Sequence, residues 1–404
     1  MAVKNGQLRS NGGTGMTNEK VGGERLEGAL GKAREYIDNL TIRNPLNAAG
    51  EVVSTWGRYF TWDNEKRQDD QPYLFDWSYY NGVVFEGLDY VYHVTGDKAY
   101  ADYVIEYLSN LIEPDGSFRR LEKGEAAGYH KEHGLDCYKT ASILLDAYDM
   151  TGDERYKKKA DELYKDLIAA KEKYTSASIG GNYYHTWADK PQYAVWLDGI
   201  YMAQPFMARY AVRYDKAELD QISARFTWVA ENMYNPEKEI YFHAANADNN
   251  SGGYWARSIG WYIAAMADVM ECLDGDKLTK MQGELKKLVD GMLAYQDKET
   301  GMWTNYVVGA PDGADNRLET SATSLMVYAV MKAINNGWLD RSYTEMAVRA
   351  FTGMCEREIR GNDLCDICYI GAPGSANATF YDNEGKGVGP FIMAYAEVLR
   401  YSRS

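Results

Sequence analysis

The chain has 404 residues, of which 45% are hydrophobic and 25% charged, a composition typical of a globular protein and not of a disordered or fibrous one. Its 44 basic and 59 acidic side chains give a net charge of −15 without a basic run, which excludes nucleic acid as a partner because a polyanion would be repelled. No run approaches the roughly 20 apolar residues of a membrane span, so we expect no membrane partner.

The N-terminal segment differs from the rest of the chain. Residues 1–24 are rich in glycine and contain little that could be buried, which predicts a disordered or vector-derived leader. Residues 25–404 are expected to form a single domain, as a monomer or a homodimer. No signal-peptide pattern opens the chain, which favours the cytoplasm, or the periplasm or exterior if a signal peptide was removed.

A repeat of helical hairpins organises the expected domain. Residues 90–112, YVYHVTGDKAYADYVIEYLSNLI, align with residues 146–168, DAYDMTGDERYKKKADELYKDLI, around a shared TGD turn. Apolar residues precede each turn at helical spacing, so each repeat predicts a helix, a short turn and a second helix. Similar hairpins follow further along the chain, and residues 28–401 leave room for six. Six hairpins predict an all-α, closed (α/α)6 toroid with the first helix of each pair inside.

Polar or aromatic residues recur at intervals of about one repeat near the starts of the predicted inner helices. They are Tyr79, Asp136, Asp198, Arg257 and Glu319, separated by 57, 62, 59 and 62 residues. Because residues one repeat apart should occupy similar heights, these five are expected to surround one mouth of the toroid. We expect the binding pocket at that mouth.

Two of these residues are candidate catalytic acids. Asp136 can also be an N-cap, and Asp198 can also be a first-turn acid that the helix dipole stabilises. Repeat geometry favours a facing pair, because it brings both carboxylates to one aromatic-lined mouth. Such an environment should move their pKa values apart, leaving one as an acid and the other charged.

The segment GGYWARSIGWYIAAM supplies Trp255, Arg257 and Trp261. The planar guanidinium of Arg257 suits a sugar carboxylate, and tryptophan rings stack on sugars, although core tryptophans beside a surface arginine are an equal alternative. His185 and His243 precede inner helices, either as pocket members or as surface residues.

Cofactor and metal motifs are missing from the sequence. The five cysteines are scattered, and the CxxC pair of Cys365 and Cys368 has no second pair or nearby histidine, so we interpret it as structural. HExxH, EF-hand, GxGxxG, P-loop and GxSxG patterns do not occur. We therefore expect no cofactor and no metal dependence.

Six segments together resemble the unsaturated rhamnogalacturonyl hydrolases of glycoside hydrolase family 105. They run in order over residues 70–401 and read WSYYNGVVFEGL, HGLDCYKTASILLDAYDMTGDERY, YAVWLDGIYMAQPFMARYA, YWARSIGWYIAAMADVM, NRLETSATSLMVYAVMKAINNGWLD and GVGPFIMAYAEVL. The resemblance implies an (α/α)6 barrel and a small acidic oligosaccharide as substrate. It further implies removal of a 4,5-unsaturated uronic acid from the non-reducing end, as in unsaturated galacturonyl-rhamnose, by hydration of the C4=C5 vinyl ether.

The resemblance also implies roles for individual residues. Asp198 matches the family's catalytic acid/base and Asp136 its assisting aspartate. Pocket positions are matched by Tyr79, Leu135, His185, Trp196, His243, Trp255, Arg257 and Trp261. Ser258 departs from the glycine of the rhamnogalacturonan-acting members, which leaves galacturonyl or glucuronyl preference and the leaving sugar open.

Two alternatives remain at this point. An inverting glycosidase of the same shape would act on saturated glycosides, with its two acids roughly 6.5–9.5 Å apart. A non-catalytic sugar-binding toroid would share only the fold.

Overall fold

The computed structural model describes residues 21–39, 77–120, 131–187, 194–246, 248, 250–370 and 377–404. Within these residues the protein has twelve α-helices: α1 (Gly23–Ile37), α2 (Tyr79–Thr95), α3 (Lys98–Leu111), α4 (Leu144–Thr151), α5 (Glu154–Tyr174), α6 (Leu197–Tyr214), α7 (Glu218–Asn232), α8 (Ala256–Met270), α9 (Gly275–Leu293), α10 (Thr320–Asn335), α11 (Thr344–Glu358) and α12 (Gly385–Arg403). A 3₁₀ segment (Lys131–Ile143) leads directly into α4.

Nine short strands lie in the described connections. They are β1 (Val195–Trp196), β2 (Tyr234–Asn235), β3 (Ile240–Tyr241), β4 (Ala244–Ala245), β5 (Asn250–Ser251), β6 (Ile359–Arg360), β7 (Asp363–Leu364), β8 (Ile367–Ile370) and β9 (Thr379–Tyr381). All pair antiparallel, in one three-stranded sheet ordered β1-β4-β5 and three two-stranded hairpins, β2-β3, β6-β7 and β8-β9.

Six helical elements form a closed inner ring. In order they are α2, the 3₁₀ segment with α4, α6, α8, α10 and α12, and α12 packs back against α2. The outer helices α3, α5, α7, α9 and α11 each pack on the inner element that precedes them. The all-α (α/α)6 toroid expected from the sequence is therefore confirmed.

The sixth pair departs from the expected chain order. Helix α1 packs against α11 and α12, so the first and last helices of the described chain complete the ring together. In this pair the outer helix precedes the inner one. Helix α1 begins at Gly23, slightly before the expected domain boundary at residue 25, and residues 1–20 lie outside the described residues.

The TGD turns form as the sequence predicted. Gly96 and Gly152 adopt positive φ angles of 71° and 67° at the ends of α2 and α4, a conformation that glycine adopts without steric cost. Asp97 and Asp153 then cap α3 and α5, because their side chains accept the backbone N–H groups of the second helical residues. This local chemistry reverses the chain from an inner to an outer helix.

The two layers differ in burial. Every residue of the inner helix α8 is buried, whereas the outer helix α5 buries one face only. Because each outer helix returns the chain, all inner helices begin at the same end of the toroid, which we call the mouth. Of the described helices, none has both the length and the apolar character required to cross a membrane.

Candidate active site

Asp198 lies at the mouth, as the second residue of α6. Strand β1 pairs with β4 immediately before this helix, and the N–H of Leu197 donates to the carbonyl of His243 at 3.0 Å. This pairing brings Nδ1 of His243 to 3.2 Å from Oδ2 of Asp198, and both side chains are largely buried. A short sheet thus fixes an imidazole beside the carboxylate.

Asp136 has a similar histidine neighbour. Gly134, with a φ of 76°, lies so close to the 183–187 loop that a Cβ atom there would be 2.2 Å from the carbonyl oxygen of His185. The N–H of Leu135 donates to that same oxygen at 3.1 Å. Nε2 of His185 consequently lies 3.6 Å from Oδ1 of Asp136. The mouth therefore contains two carboxylate–imidazole pairs.

Trp196 separates the two imidazoles. Its ring stacks on His185 at 4.4 Å between centroids and lies 5.1 Å from His243 at a tilt of 51°. Trp196 is the N-cap residue of α6, two positions before Asp198. The two carboxylate–imidazole pairs are thus assembled around one tryptophan.

Arg257 lies near the start of α8, the inner helix next to α6, and is only 3% exposed. Its guanidinium carbon lies 4.4 Å from the ring of Trp255, and its Nη1 donates to the carbonyl of Cys368. Burial lowers the pKa of Arg257, but surrounding acidic groups, Cys368 and Glu319 first among them, produce a net increase. Arg257 is therefore a permanent cation, yet it forms no ion pair with any carboxylate of the described residues.

The pKa of Asp198 differs from the expectation. Burial raises this pKa, but the charge interaction and hydrogen bond with His243, followed by the interactions with His185 and Arg257, lower it by more, so it lies below the usual value. In this structure Asp198 is a carboxylate at neutral pH. The expected pKa shift rested on the apolar surroundings of the acids, whereas the basic side chains around Asp198 decide its direction.

Tyr79 is the first residue of α2, and both acids affect the pKa of its hydroxyl group. Burial raises its pKa well above the usual value, and Asp136 and Asp198 add to this rise. The tyrosine is therefore a neutral hydroxyl group beside the carboxylates, as its predicted place in the ring required.

The other predicted residues occupy more interior positions. The indole N–H of Trp255 donates to Oδ1 of Asn305, which fixes the ring beneath Arg257. Leu135 is 2% exposed, next to the start of α6. The hydroxyl of Ser258 donates to the carbonyl of Trp255, and its side chain is fully buried. Ser258 therefore presents no exposed hydroxyl at the mouth.

Trp261 and Glu319 are buried beneath the mouth. Trp261 is 1% exposed and stacks on Tyr201 at 4.8 Å, so it forms part of the inner core. Both carboxylate oxygens of Glu319 accept hydrogen bonds from the first turn of α10, and Oε1 also accepts the N–H of Cys368. Glu319 therefore anchors a neighbouring hairpin.

Sequence reasoning missed the sixth inner-helix start. Glu384 caps α12, and its Oε1 lies 2.5 Å from Nζ of Lys386, a lysine that is 6% exposed. Burial lowers the pKa of Lys386, partly opposed by Glu384. The signal was present, because Glu384 follows Glu319 by 65 residues, about one repeat.

The β8–β9 hairpin was also missed. Its residue Cys368 bonds to both Arg257 and Glu319, which holds the hairpin at the rim of the mouth. The rings of Tyr369 and Tyr381 lie 4.7 Å apart and are 37% and 46% exposed. Nζ of Lys386 lies 4.5 Å from the ring of Tyr369. The rim therefore presents an exposed aromatic pair close to the buried cations.

Buried polar atoms without hydrogen-bond partners gather at the mouth. In the described part of the chain they include Nδ1 of His185, Nε2 of His243 and Nε of Arg257. Buried polar groups in native proteins are normally paired, so a concentration of unpaired ones needs an explanation. A polar ligand with several oxygens would satisfy them.

A closed ring of helical pairs with two carboxylates in an aromatic mouth defines the protein as a glycosidase of the toroidal class. Residues 55–402 match the model of Glycosyl Hydrolase Family 88. The chain belongs to that family.

Related proteins agree with this assignment. A solved structure of a family 105 glycoside hydrolase from C. acetobutylicum ATCC 824 is 28% identical, aligns over 80% of this chain and 94% of its own, and has a TM-score of 0.71. The expected resemblance to family 105 is thereby confirmed.

Two further relatives are unsaturated uronyl hydrolases. An unsaturated 3S-rhamnoglycuronyl hydrolase of Formosa agariphila is 25% identical over 221 residues, which are 51% of this chain and 57% of that protein. The structure of an unsaturated glucuronyl hydrolase specific for heparin is 14% identical, covers 94% of this chain and 97% of its own, and shares the fold with a TM-score of 0.64.

Proposed function

We propose that this protein removes a 4,5-unsaturated uronic acid from the non-reducing end of lyase-generated oligosaccharides by hydrating the C4=C5 double bond. The observation that carries the proposal is Arg257, a buried guanidinium at the mouth without a carboxylate partner in the described residues. An unpaired buried cation is costly, and a uronate carboxylate would compensate its charge. The relatives whose names refer to unsaturated uronyl substrates support the same class of ligand.

A bound uronate would also raise the pKa of Asp198, the proposed catalytic acid. Arg257 lowers the pKa of Asp198 in this structure. A bound uronate would neutralise Arg257 and add a negative charge near Asp198, and both effects raise the pKa of Asp198. Substrate binding itself would therefore favour the protonated acid that the chemistry needs.

Asp198 would then act as both acid and base. Its proton passes to C4, the electron pair of C4=C5 forms the new C4–H bond, and positive charge develops at C5 and the ring oxygen. Water adds to C5 while the Asp198 carboxylate takes a proton from it, which restores the acid. The resulting hemiketal opens and then releases the leaving sugar.

Asp136 and the histidines would position these groups. His243 lies within 3.2 Å of Asp198, and Asp136 lies 3.6 Å from His185, so each acid is held by an imidazole. We assign Asp136 to holding the attacking water or the proton of Asp198. Tyr79, Trp196 and Trp255 would surround the uronate ring, since aromatic faces pack well on pyranoses.

A panel of lyase-generated disaccharides tests the proposal. Turnover should remove the ultraviolet absorbance of the C4=C5 bond, and in deuterium oxide one deuterium should appear at C4. The matched saturated uronosides should not react.

Three other outcomes would contradict it. Release of a uronate that keeps its double bond, or comparable turnover of saturated uronosides, would identify an ordinary inverting glycosidase. Tight binding of every panel member without turnover would identify a sugar-binding toroid.

A further inference from the structure

Three potential metal ligands meet at the end of the toroid opposite the mouth. Asp89 and His93 lie one turn apart on α2, and Asp146 lies on the neighbouring α4. One nitrogen or oxygen atom from each side chain lies within 4.8 Å of the others. Asp89 follows Tyr79 by ten residues, which corresponds to about 15 Å along a helix. The cluster is therefore separate from the candidate active site.

Asp89 is the unusual member of the cluster. It is 1% exposed, and its Oδ1 has no hydrogen-bond partner. Its Oδ2 lies 3.4 Å from Nε2 of His93, which is longer than a good charge-assisted hydrogen bond. A buried carboxylate with so little compensation is expensive, so another positive group is expected beside it.

The local charges leave room for a cation. Nη1 of Arg209 lies 2.6 Å from Oδ2 of Asp146 and so neutralises one of the two carboxylates. Arg213, the next cation on α6, is paired with Asp149. Asp89 remains with His93 as its only close partner among the described residues. A metal ion would coordinate His93 in its neutral form, and in that form Asp89, Asp146 and Arg209 together leave the cluster with one net negative charge.

We propose that Asp89, His93 and Asp146 bind one divalent transition-metal ion. An imidazole nitrogen with two carboxylate oxygens is a ligand set that Zn²⁺ and related ions accept, with water completing the coordination. Because His93 is about half exposed, an ion can reach the cluster from solvent. The ion would tie α2 to α4 and stabilise the fold, without a part in the reaction at the mouth.

The sequence contains no contiguous metal-binding motif, which is why no metal was expected. The i, i+4 spacing of Asp89 and His93 was readable in DYVYH. The third ligand lies 57 residues further on, about one repeat, and only the closed ring brings it near.

Zn²⁺ alone is the probe for the first experiment. The full chain is treated with a chelator, freed of it, and titrated with Zn²⁺ by calorimetry and by thermal unfolding. We expect one saturable site per chain and an increase in Tm of a few degrees, because a ligand that binds only the folded state stabilises it. Turnover of an unsaturated uronide should not change with added Zn²⁺.

Two variants locate the site. His93→Ala removes an exposed ligand and is expected to fold, and Asp89→Asn keeps the shape of the buried one. Each should weaken Zn²⁺ binding by at least about tenfold and abolish the Tm increase. Asp149→Asn, a neighbouring acid outside the cluster, is the matched control and should bind Zn²⁺ as the unmodified chain does.

Co²⁺ gives an independent readout. Its visible absorption bands should appear on binding and disappear in His93→Ala. No saturable Zn²⁺ binding would overturn the proposal, and the Asp89–His93 contact would then be an ion pair only. Binding that persists in both variants, or that inhibits turnover, would place the metal at the histidines of the mouth and overturn it equally.

Discussion

The mouth of the toroid and the interior beneath it both contain buried cations, but those of the interior are paired with carboxylates, whereas, among the described residues, Arg257 at the mouth is not. Below the mouth, Nζ of Lys139 lies 2.6 Å from Glu86, and Nζ of Lys332 lies 2.8 Å from Asp268, with all four side chains almost fully buried. At the mouth, Arg257 faces a backbone carbonyl and no described carboxylate.

This difference separates structural charges from functional ones. An interior ion pair is complete within the protein, and its loss should reduce stability. A buried cation without a counter-ion raises the energy of the folded protein until a ligand binds, so its loss should reduce affinity. Each of the following predictions tests whether the two regions divide in this way.

The largest effect is expected at the acid of the mouth. Asp198→Asn should reduce kcat for an unsaturated uronide by about 10²- to 10⁴-fold, because the amide cannot donate and recover the proton. The amide is nearly isosteric, so Tm should change little. Steady-state kinetics and thermal unfolding of the same preparation check both statements. A variant with normal turnover would remove Asp198 from the chemistry.

Removing one partner of an interior ion pair should instead reduce the stability of the fold. Lys139→Met leaves Glu86 buried without its cation and should lower the free energy of unfolding by about 3–5 kcal/mol. Chemical denaturation measures this loss. The double variant Lys139→Met/Glu86→Gln should recover part of it, because no charge is then left unpaired. If the double variant loses more than the single one, the two residues are not stabilising each other as a pair.

The sequence predicted the features that depend on local chemistry and on the repeat. The TGD turns followed from glycine and aspartate at fixed positions, and the spacing from Tyr79 to Arg257 placed residues at one end of the ring. The repeat spacing put Asp136 and Asp198 at the same mouth, because successive inner helices begin at equal heights along the toroid axis. The family resemblance then suggested roles for the same positions, and those roles remain proposals.

Other features depend on contacts between distant segments. The β8–β9 hairpin reaches the mouth only because the carbonyl and N–H of Cys368 bond to Arg257 and Glu319. The direction of the pKa shift of Asp198 depends on how close His243, His185 and Arg257 lie to its carboxylate, which no spacing rule gives. Glu384 could have been found by extending the repeat by one more step.

A smaller effect is expected from the unpaired cation. Arg257→Leu should raise KM for unsaturated uronides by about 10- to 100-fold, the equivalent of about 1.5–3 kcal/mol for a hydrogen bond to a charged group. Tm should not fall by a comparable amount. Arg213→Leu is the matched control, since that arginine pairs with Asp149 at the other end of α6. An unchanged KM would place the uronate elsewhere.

The same arginine should contribute to the pH dependence, together with His243, which lowers the pKa of Asp198 most. Protonated Asp198 is required, so kcat/KM should fall as pH rises through the lowered pKa of Asp198 in the free enzyme. Bound uronate should raise this pKa, which moves the corresponding limb of kcat to higher pH. In Arg257→Leu the limb of kcat/KM should also move to higher pH, because a cation that lowers the pKa is gone. Superimposable limbs for kcat and kcat/KM would contradict a substrate-induced shift.

The smallest effect is expected at the rim of the mouth, where Tyr369 and Tyr381 form an exposed aromatic pair that carries no charge. The exposed ring of Tyr369 lies against Lys386, and we expect the leaving sugar to contact this ring as it extends from the mouth. Tyr369→Ala should therefore raise KM by about 3- to 10-fold for substrates with a sugar leaving group, since one aromatic contact is worth about 0.5–1.5 kcal/mol. Substrates with a small non-sugar leaving group should show no change, and neither should Tyr214→Ala, an exposed tyrosine at the far end of α6. Equal losses for both kinds of substrate would mean that Tyr369 supports the fold of the hairpin and does not contact the leaving sugar.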